Sequence, residues 1–217
     1  DRILVNGLIA PEEEILVQPQ VEGLAIDELL ADVGDTVKKG DVLARLRPGD
    51  VITHSYTPSP GGVVSDTSLE LSSAAVEARS AGIEFDIGHG QGSFGWDAAR
   101  AALDAGFPPD YISSDLHRGC VNGPAFDLPS VMTKFWKLGM PIEDIVRRCT
   151  LAPARKLGID AGTLRPGAVA DIAVLTVDDG PVRLIDCVGE EMMWDRKLRA
   201  AYTFRAGERL DPGKFGP

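Results

Sequence analysis

The chain has 217 residues, 44% of them hydrophobic, enough to bury a core in one domain or two modest ones. Its 22 Lys and Arg stand against 33 Asp and Glu, giving a net charge of −11 and a pI near 4.7, which argues against nucleic-acid backbones and anionic membranes as partners. Three widely spaced cysteines, Cys120, Cys149 and Cys187, suggest neither a disulfide framework nor a zinc knuckle. They fit a reducing compartment. No apolar run approaches the roughly 20 residues of a membrane span, and Asp1-Arg2-Ile3 has no signal pattern, so a cytoplasmic protein is expected. The sequence does not begin with Met and reads as a fragment or a processed form.

In chain order, residues 1–46 hold short β-rich runs at 3–5, 15–17, 21–24 and 42–44, separated by Gly and Pro. They predict a β-rich hairpin unit, with one helical turn over 25–30 as the exception. Over 47–160 strands alternate with helices in the manner of parallel βα units. Strands are expected at 51–54, 83–87 and 111–114, and helices at 71–81, 96–105, 130–138 and 142–149. From 161 to 217 strand character returns at 171–177, 182–187 and 201–205, with turns at Asp179-Gly180-Pro181 and Ala206-Gly207. The fold class is therefore α/β, with a small β appendage.

Parallel βα folds gather their chemistry at the carboxyl ends of the strands. His54 ends Val51-Ile52-Thr53, His89 ends Phe85-Asp86-Ile87-Gly88, and Asp115 ends Ile112-Ser113-Ser114. Two imidazoles and a carboxylate make a good zinc shell with a position left open for water. Any one of them alone is more often a cap or a hydrogen-bonded core residue than a ligand, but the chain has only three His and two fall at equivalent places. The glycines of Gly88-His89-Gly90 allow close approach of backbone to a ligand or metal, or else make a flexible loop. His117 is either a substrate contact, a support for the carboxylate, or a surface histidine. The loop from 119 to 129, carrying Asn122-Gly123-Pro124, has the length of a lid. Trp136, Phe135, Met192 and Met193 are expected to pack.

Gly49-Asp50-Val51-Ile52-Thr53-His54, Phe85-Asp86-Ile87-Gly88-His89-Gly90 and Ile112-Ser113-Ser114-Asp115-Leu116-His117 form a set. Together with Asp127-Leu128-Pro129, Lys137-Leu138-Gly139-Met140-Pro141 and Gly162-Thr163-Leu164-Arg165-Pro166-Gly167, they resemble the dihydroorotase-like amidohydrolase and deacetylase branch of the amidohydrolase superfamily. The resemblance runs from about Arg47 to Leu210. It implies a TIM-type (β/α)₈ barrel with a small β-sandwich, and hydrolysis of amide or ester-like bonds by a zinc-activated water. By resemblance His54 and His89 bind one metal, and Asp115 binds the other and acts as base; the positions of His117, Gly123 and Pro124 in the following loop make them the expected contacts to a small-molecule substrate. The family takes a His-x-His pair from its first strand and a bridging, carboxylated Lys from its fourth, and this sequence has neither. About half of a barrel is matched, so the expectation is a partial barrel bearing the rear half of a two-zinc site, with one or two ions. Open strand edges make a homo-oligomer one expected outcome.

Residues 1–46 are similar to the lipoyl-like hairpin of periplasmic efflux adaptor proteins, through Val21-Glu22-Gly23 and Gly34-Asp35-Thr36-Val37-Lys38-Lys39-Gly40-Asp41. Lipoylation is not expected at Lys38 or Lys39. The alternatives to a weakened hydrolase are a non-catalytic assembly module and a fragment of a longer enzyme.

Overall fold

The computed structural model describes residues 28–31, 34–38, 41, 42 and 44–210. The chain divides into two units, Asp1–Arg45 and Leu46–Pro217. In the first, β1 (Glu28–Leu29) and β2 (Ala44–Arg45) pair antiparallel, with Glu28 opposite Arg45. Glu28 and Leu29 lie in a strand where a helical turn was expected. Between the strands Lys38 N–H donates to the Asp41 carboxylate at 2.7 Å, and Asp41 N–H donates back to the Lys38 carbonyl. That is the local bonding by which an Asp side chain closes a turn. The strand expectations at 3–5, 15–17 and 21–24 lie outside the described residues.

The second unit begins with β3 (Val51–Ile52), α1 (Ser73–Ser80), β4 (Glu84–Phe85) and α2 (Trp96–Asp104). β3 and β4 run parallel, Val51 opposite Glu84 and Ile52 opposite Phe85, with α1 as their crossover. Beyond α2 the chain returns alongside β4 at Tyr111, which forms a parallel bridge with Asp86. The backbone bonds continue upward, from Ile87 N–H to Tyr111 O and from His89 N–H to Ser113 O. Three neighbouring parallel segments thus end side by side at His54, His89 and Asp115. Each is shorter than expected, because past residue 52 or 86 the backbone leaves strand geometry to enter the loops.

Next come α3 (Leu128–Lys137), α4 (Ile142–Cys149) and α5 (Leu151–Lys156). α3 starts two residues ahead of expectation because Asp127 caps it, its carboxylate accepting from Ser130 N–H at 2.7 Å, with Pro129 in the first turn. α5 lies beyond the helices expected from sequence; its Pro153 sits in the first turn, where its missing N–H is harmless.

β5 (Ile172–Ile185), β6 (Glu191–Arg205) and β7 (Glu208–Leu210) make one antiparallel sheet in that order. The turn expected at Asp179-Gly180-Pro181 is instead a register shift inside β5, which runs on through it. A bulge takes up residues that cannot join the ladder, Pro181 among them. The Ala206-Gly207 turn is present, with φ of 49° and 83°, the left-handed pair of a tight hairpin.

The core joins both parts of this unit. Tyr56, Phe85, Phe94, Trp96, Phe135 and Ile145 are fully or almost fully buried, and Leu184 and Leu198 of the sheet belong to the same cluster. Burying each of these side chains contributes about 1.5–3 kcal/mol. Trp136 packs edge-on against Trp194 at 4.9 Å, and Leu198 N–H donates to Thr133 Oγ1 at 3.0 Å, so α3 lies on β6. Among the described residues no helix is long and apolar enough to cross a membrane.

Candidate functional site

His54 follows β3 in the left-handed conformation, with φ of 59°. Its Nδ1–H donates to the Gly88 carbonyl at 2.6 Å. That bond sets the ring orientation and leaves Nε2 as the unprotonated nitrogen. Asp115 is also left-handed, with φ of 42°, and its carboxylate lies against Gly90. Asp and His adopt this region more readily than most residues, and it recurs at functional sites.

Gly88 and Gly90 have φ of 47° and 45°. A methyl group on Gly88 would stand 2.8 Å from His54 Nδ1, and one on Gly90 would press into the Asp115 carboxylate. The glycines flanking His89 therefore admit His54 on one side and Asp115 on the other.

His89 has different surroundings. Its ring is fully buried and stacked on Phe94, with centroids 4.8 Å apart. Nδ1–H donates to the Gly90 carbonyl at 3.0 Å, and Nε2 accepts from Lys134 Nζ at 2.6 Å. Burial and, next, the Lys134 charge push its pKa down to about 3, so the ring is neutral at ordinary pH. Lys134 is 1% exposed. Besides His89 it donates to the Pro124 carbonyl at 3.0 Å and the Ile185 carbonyl at 2.6 Å. Three acceptors satisfy the three N–H groups of an ammonium. Burial lowers its pKa to about 7, opposed by the negative field of Asp186.

Beneath the strand ends lies a carboxylate that sequence reasoning missed. Asp86 accepts from Thr53 Oγ1 at 2.8 Å and Ser113 Oγ at 2.7 Å, and Ser113 Oγ accepts from Gly88 N–H at 3.1 Å. The network joins all three parallel segments one residue below His54 and two below Asp115. Burial raises the Asp86 pKa, and its Oδ1 is buried with no partner. Asp86 falls inside an apolar strand, the one available signal. Lys134 gave a similar one, as a lone cation within Val131-Met132-Thr133-Lys134-Phe135-Trp136.

The remaining expected residues lie in the loops. His117 is exposed, its Nδ1 accepting from Gly119 N–H at 3.0 Å. Gly123 and Pro124 are joined by a cis peptide bond, and the Pro124 carbonyl meets Lys134. Cys120 is buried beneath this loop, its thiol donating to the Asp115 carbonyl at 3.4 Å. A cavity of about 130 Å³ at the start of α2 is lined by Asp66, Asp97, Asp186 and Glu190 among others, and includes none of the expected site residues. Asp186 there is already engaged by the backbone N–H groups of Trp96, Val188 and Glu190.

The donor chemistry fits a metal in part. His54 is oriented by a carbonyl with Nε2 left over, and Asp115 offers a carboxylate close by on the same Gly88–Gly90 backbone. His89 does not fit, since its Nε2 faces an ammonium. Among the described residues no three His, Cys, Asp or Glu side chains are grouped to hold an ion.

The amidohydrolase family model matches residues 27–202, and the chain belongs to that family. The match starts before the expected junction near Arg47 and so takes in part of the first unit. The chain is 32% identical over 178 residues to a deacetylase of Agrobacterium fabrum, covering 82% of this chain and 44% of that protein. A deacetylase of Enterococcus faecalis is 31% identical over 201 residues, 91% of this chain and 54% of the relative. Among solved structures, an adenine deaminase superposes with a TM-score of 0.71 at 31% identity, covering 76% of this chain and 46% of that one. A dihydroorotase gives 0.67 at 33% identity, covering 76% and 45%. The chain spans about half the length of the curated relatives it matches.

Proposed function

We propose that this chain carries part of the active site of a metal-dependent hydrolase that cleaves non-peptide carbon–nitrogen bonds, or related esters, in small molecules. The observation that carries this reading is the placement of His54 and Asp115, in left-handed conformations, on either side of one Gly88–Gly90 backbone at the carboxyl ends of parallel strands. Family membership and the deacetylase relatives support the reaction class.

In this proposal the three segments are part of the wall of a (β/α) barrel, and His54, through Nε2, and Asp115, through its carboxylate, are the residues that would hold a zinc ion. Zinc bound there supplies a Lewis acid and a water of lowered pKa. With the metal bound, the partly exposed Asp115 carboxylate would be the group to accept a proton from the attacking water. His54 is kept from rotating by its bond to Gly88. His117, exposed with its Nε2 free to donate, and the Gly123-Pro124 loop face the substrate. With the His-x-His pair and bridging Lys missing from this sequence, turnover by the chain alone is weak or absent.

The test is zinc content per chain, and hydrolysis of N-acetylated amino acids with added zinc, in the parent protein and in His54→Gln and Asp115→Asn. Loss of zinc in both variants with folding retained supports the site. Unchanged zinc content, or a parent protein that holds none at saturating zinc, removes it.

A further inference from the structure

The buried cation at the strand ends has no part in the proposed reaction, yet it touches three separate segments. We infer that Lys134 is a positioning residue. It fixes the imidazole of His89 and so holds the Gly88–Gly90 backbone to which His54 and Asp115 are fitted, and it takes His89 out of the set of metal ligands.

An imidazole has two nitrogens, and a metal ligand must keep one unprotonated and unoccupied. His54 does so: Nδ1 is bound to Gly88 O, and among the described residues Nε2 takes no bond from a side chain. His89 does not: Nδ1 is bound to Gly90 O, and Nε2 receives Lys134 Nζ at 2.6 Å. The lysine cannot simply swing aside. Its other two N–H groups reach the Pro124 and Ile185 carbonyls, and its stem is enclosed with Nζ 5.3 Å from the Phe94 ring centre. Releasing Nε2 for a metal would leave one buried N–H of the ammonium without an acceptor and set the cation beside a divalent ion, which is unfavourable both by desolvation and by like-charge repulsion.

The same bonds explain how the effect reaches His54 and Asp115. Gly88 O and Gly90 O accept the two Nδ1–H bonds, from His54 and His89, and both glycines are in the left-handed conformation, where a side chain would collide with His54 or Asp115. A ring pinned by α3 fixes the residue between them. The Ile185 carbonyl, at the end of β5, and the Pro124 carbonyl, in the loop after Asp115, tie the sheet and the loop to the same ammonium.

The experiment rests on there being only three histidines. In ¹⁵N-labelled full-length protein, two-bond ¹H–¹⁵N spectra of the imidazoles are recorded without metal and then with zinc sulfate, with assignments from His→Gln variants. Without metal, His89 and His54 are both expected as the Nδ1–H tautomer. In Lys134→Met, His54 is expected to lose its single tautomer and show both in exchange, whereas Lys134→Gln, whose amide can still donate, restores it in part. On zinc addition the His54 Nε2 signal moves and that of His89 stays in place. A shift of His89 Nε2 with stoichiometric zinc, an Nε2–H tautomer of His89 in the parent protein, or an unaltered His54 tautomer in Lys134→Met overturns the inference. The zinc arm separates it from the metal-facing role of His54 and Asp115, on which it rests. If zinc moves no ring, that role fails, while the metal-free tautomers still decide the part of Lys134. If Lys134→Met does not fold, the parent spectra and Lys134→Gln decide it.

Discussion

At the carboxyl ends of β3 and β4, polar groups are buried and bonded chiefly to one another, with Asp86 Oδ1 left unpaired, whereas along β5 and β6 they stand in water. Lys134 serves three acceptors, and Asp86 is shared by two hydroxyls, within a region that also holds two left-handed non-glycine residues. The long sheet carries charges too, but Arg199 with Asp178 and Arg183 with Glu191 are solvated pairs on strands whose backbone ladder is complete without them. The first region is therefore expected to tolerate little change and the second much. Buried polar networks and strained residues gather where chemistry is done, while a sheet surface needs only its ladder and one apolar face.

The largest effect expected from this contrast is at Lys134. Replacing it with Met removes the donor to His89 Nε2 and to two buried carbonyls, and an unsatisfied buried group costs about 1–3 kcal/mol. A total near 3 kcal/mol lowers the midpoint of thermal unfolding by roughly 6–12 °C for a domain of this size. A loss under about 2 °C would place Lys134 with the surface cations. Next is Gly88→Ala, where φ of 47° and the nearness of His54 Nδ1 disfavour any side chain. We expect about 2 kcal/mol of destabilisation, measured by urea unfolding. Gly92→Ala, with open space about its Cα, serves as the control.

The sequence made the strand ends legible, and the reason is physical: each of the three segments is a short apolar run that stops at a His or an Asp. It did not make their partners legible. His89 sits 45 residues from Lys134, and nothing local to either reveals that the imidazole is used up. A lysine within an apolar helix reads as a solvated face until the packing of α3 against the strand ends is known. Asp179-Gly180-Pro181 failed in the opposite sense. Turn residues marked a real irregularity, but cross-strand pairing with 194–197 carries β5 past it as a bulge. The exposed and repetitive parts of the chain follow local propensity, and the buried polar contacts depend on long-range packing that no window shows.

A smaller effect concerns acid. Burial holds the His89 pKa near 3, below its unfolded value of about 6.5, so the folded state binds fewer protons between those limits. The stability from the neutral ring is complete above pH 6.5 and declines as the pH falls toward 3. Lys134, lowered to about 7, acts in the same sense over pH 7 to about 10.5. Asp86, with its pKa raised by burial, has the opposite sign, so the comparison requires a variant in the same background. In His89→Gln the amide oxygen can still accept from Lys134 but no proton can be taken up. Its unfolding midpoint should fall less between pH 6.5 and 4.5 than that of the parent. Parallel curves would mean that His89 is not held neutral.

The smallest effect is predicted at Asp178 and Arg199, and here its smallness is the point. The carboxylate lies 2.8 Å from Arg199 Nε, and that bond holds its pKa below the usual value. Both side chains are well exposed, so water and salt compete with the pair and ordering two flexible side chains offsets the attraction. The cross-strand contact Thr176–Arg199 in the ladder is made by backbone and survives their removal. Asp178→Asn and Arg199→Gln should therefore unfold with the parent, as should the double variant, and raising the salt should change all of them alike. If Asp178→Asn instead approached the loss expected for Lys134→Met, the distinction between the two regions would fail at its simplest point, because a solvated ion pair would then matter as much as a saturated buried one.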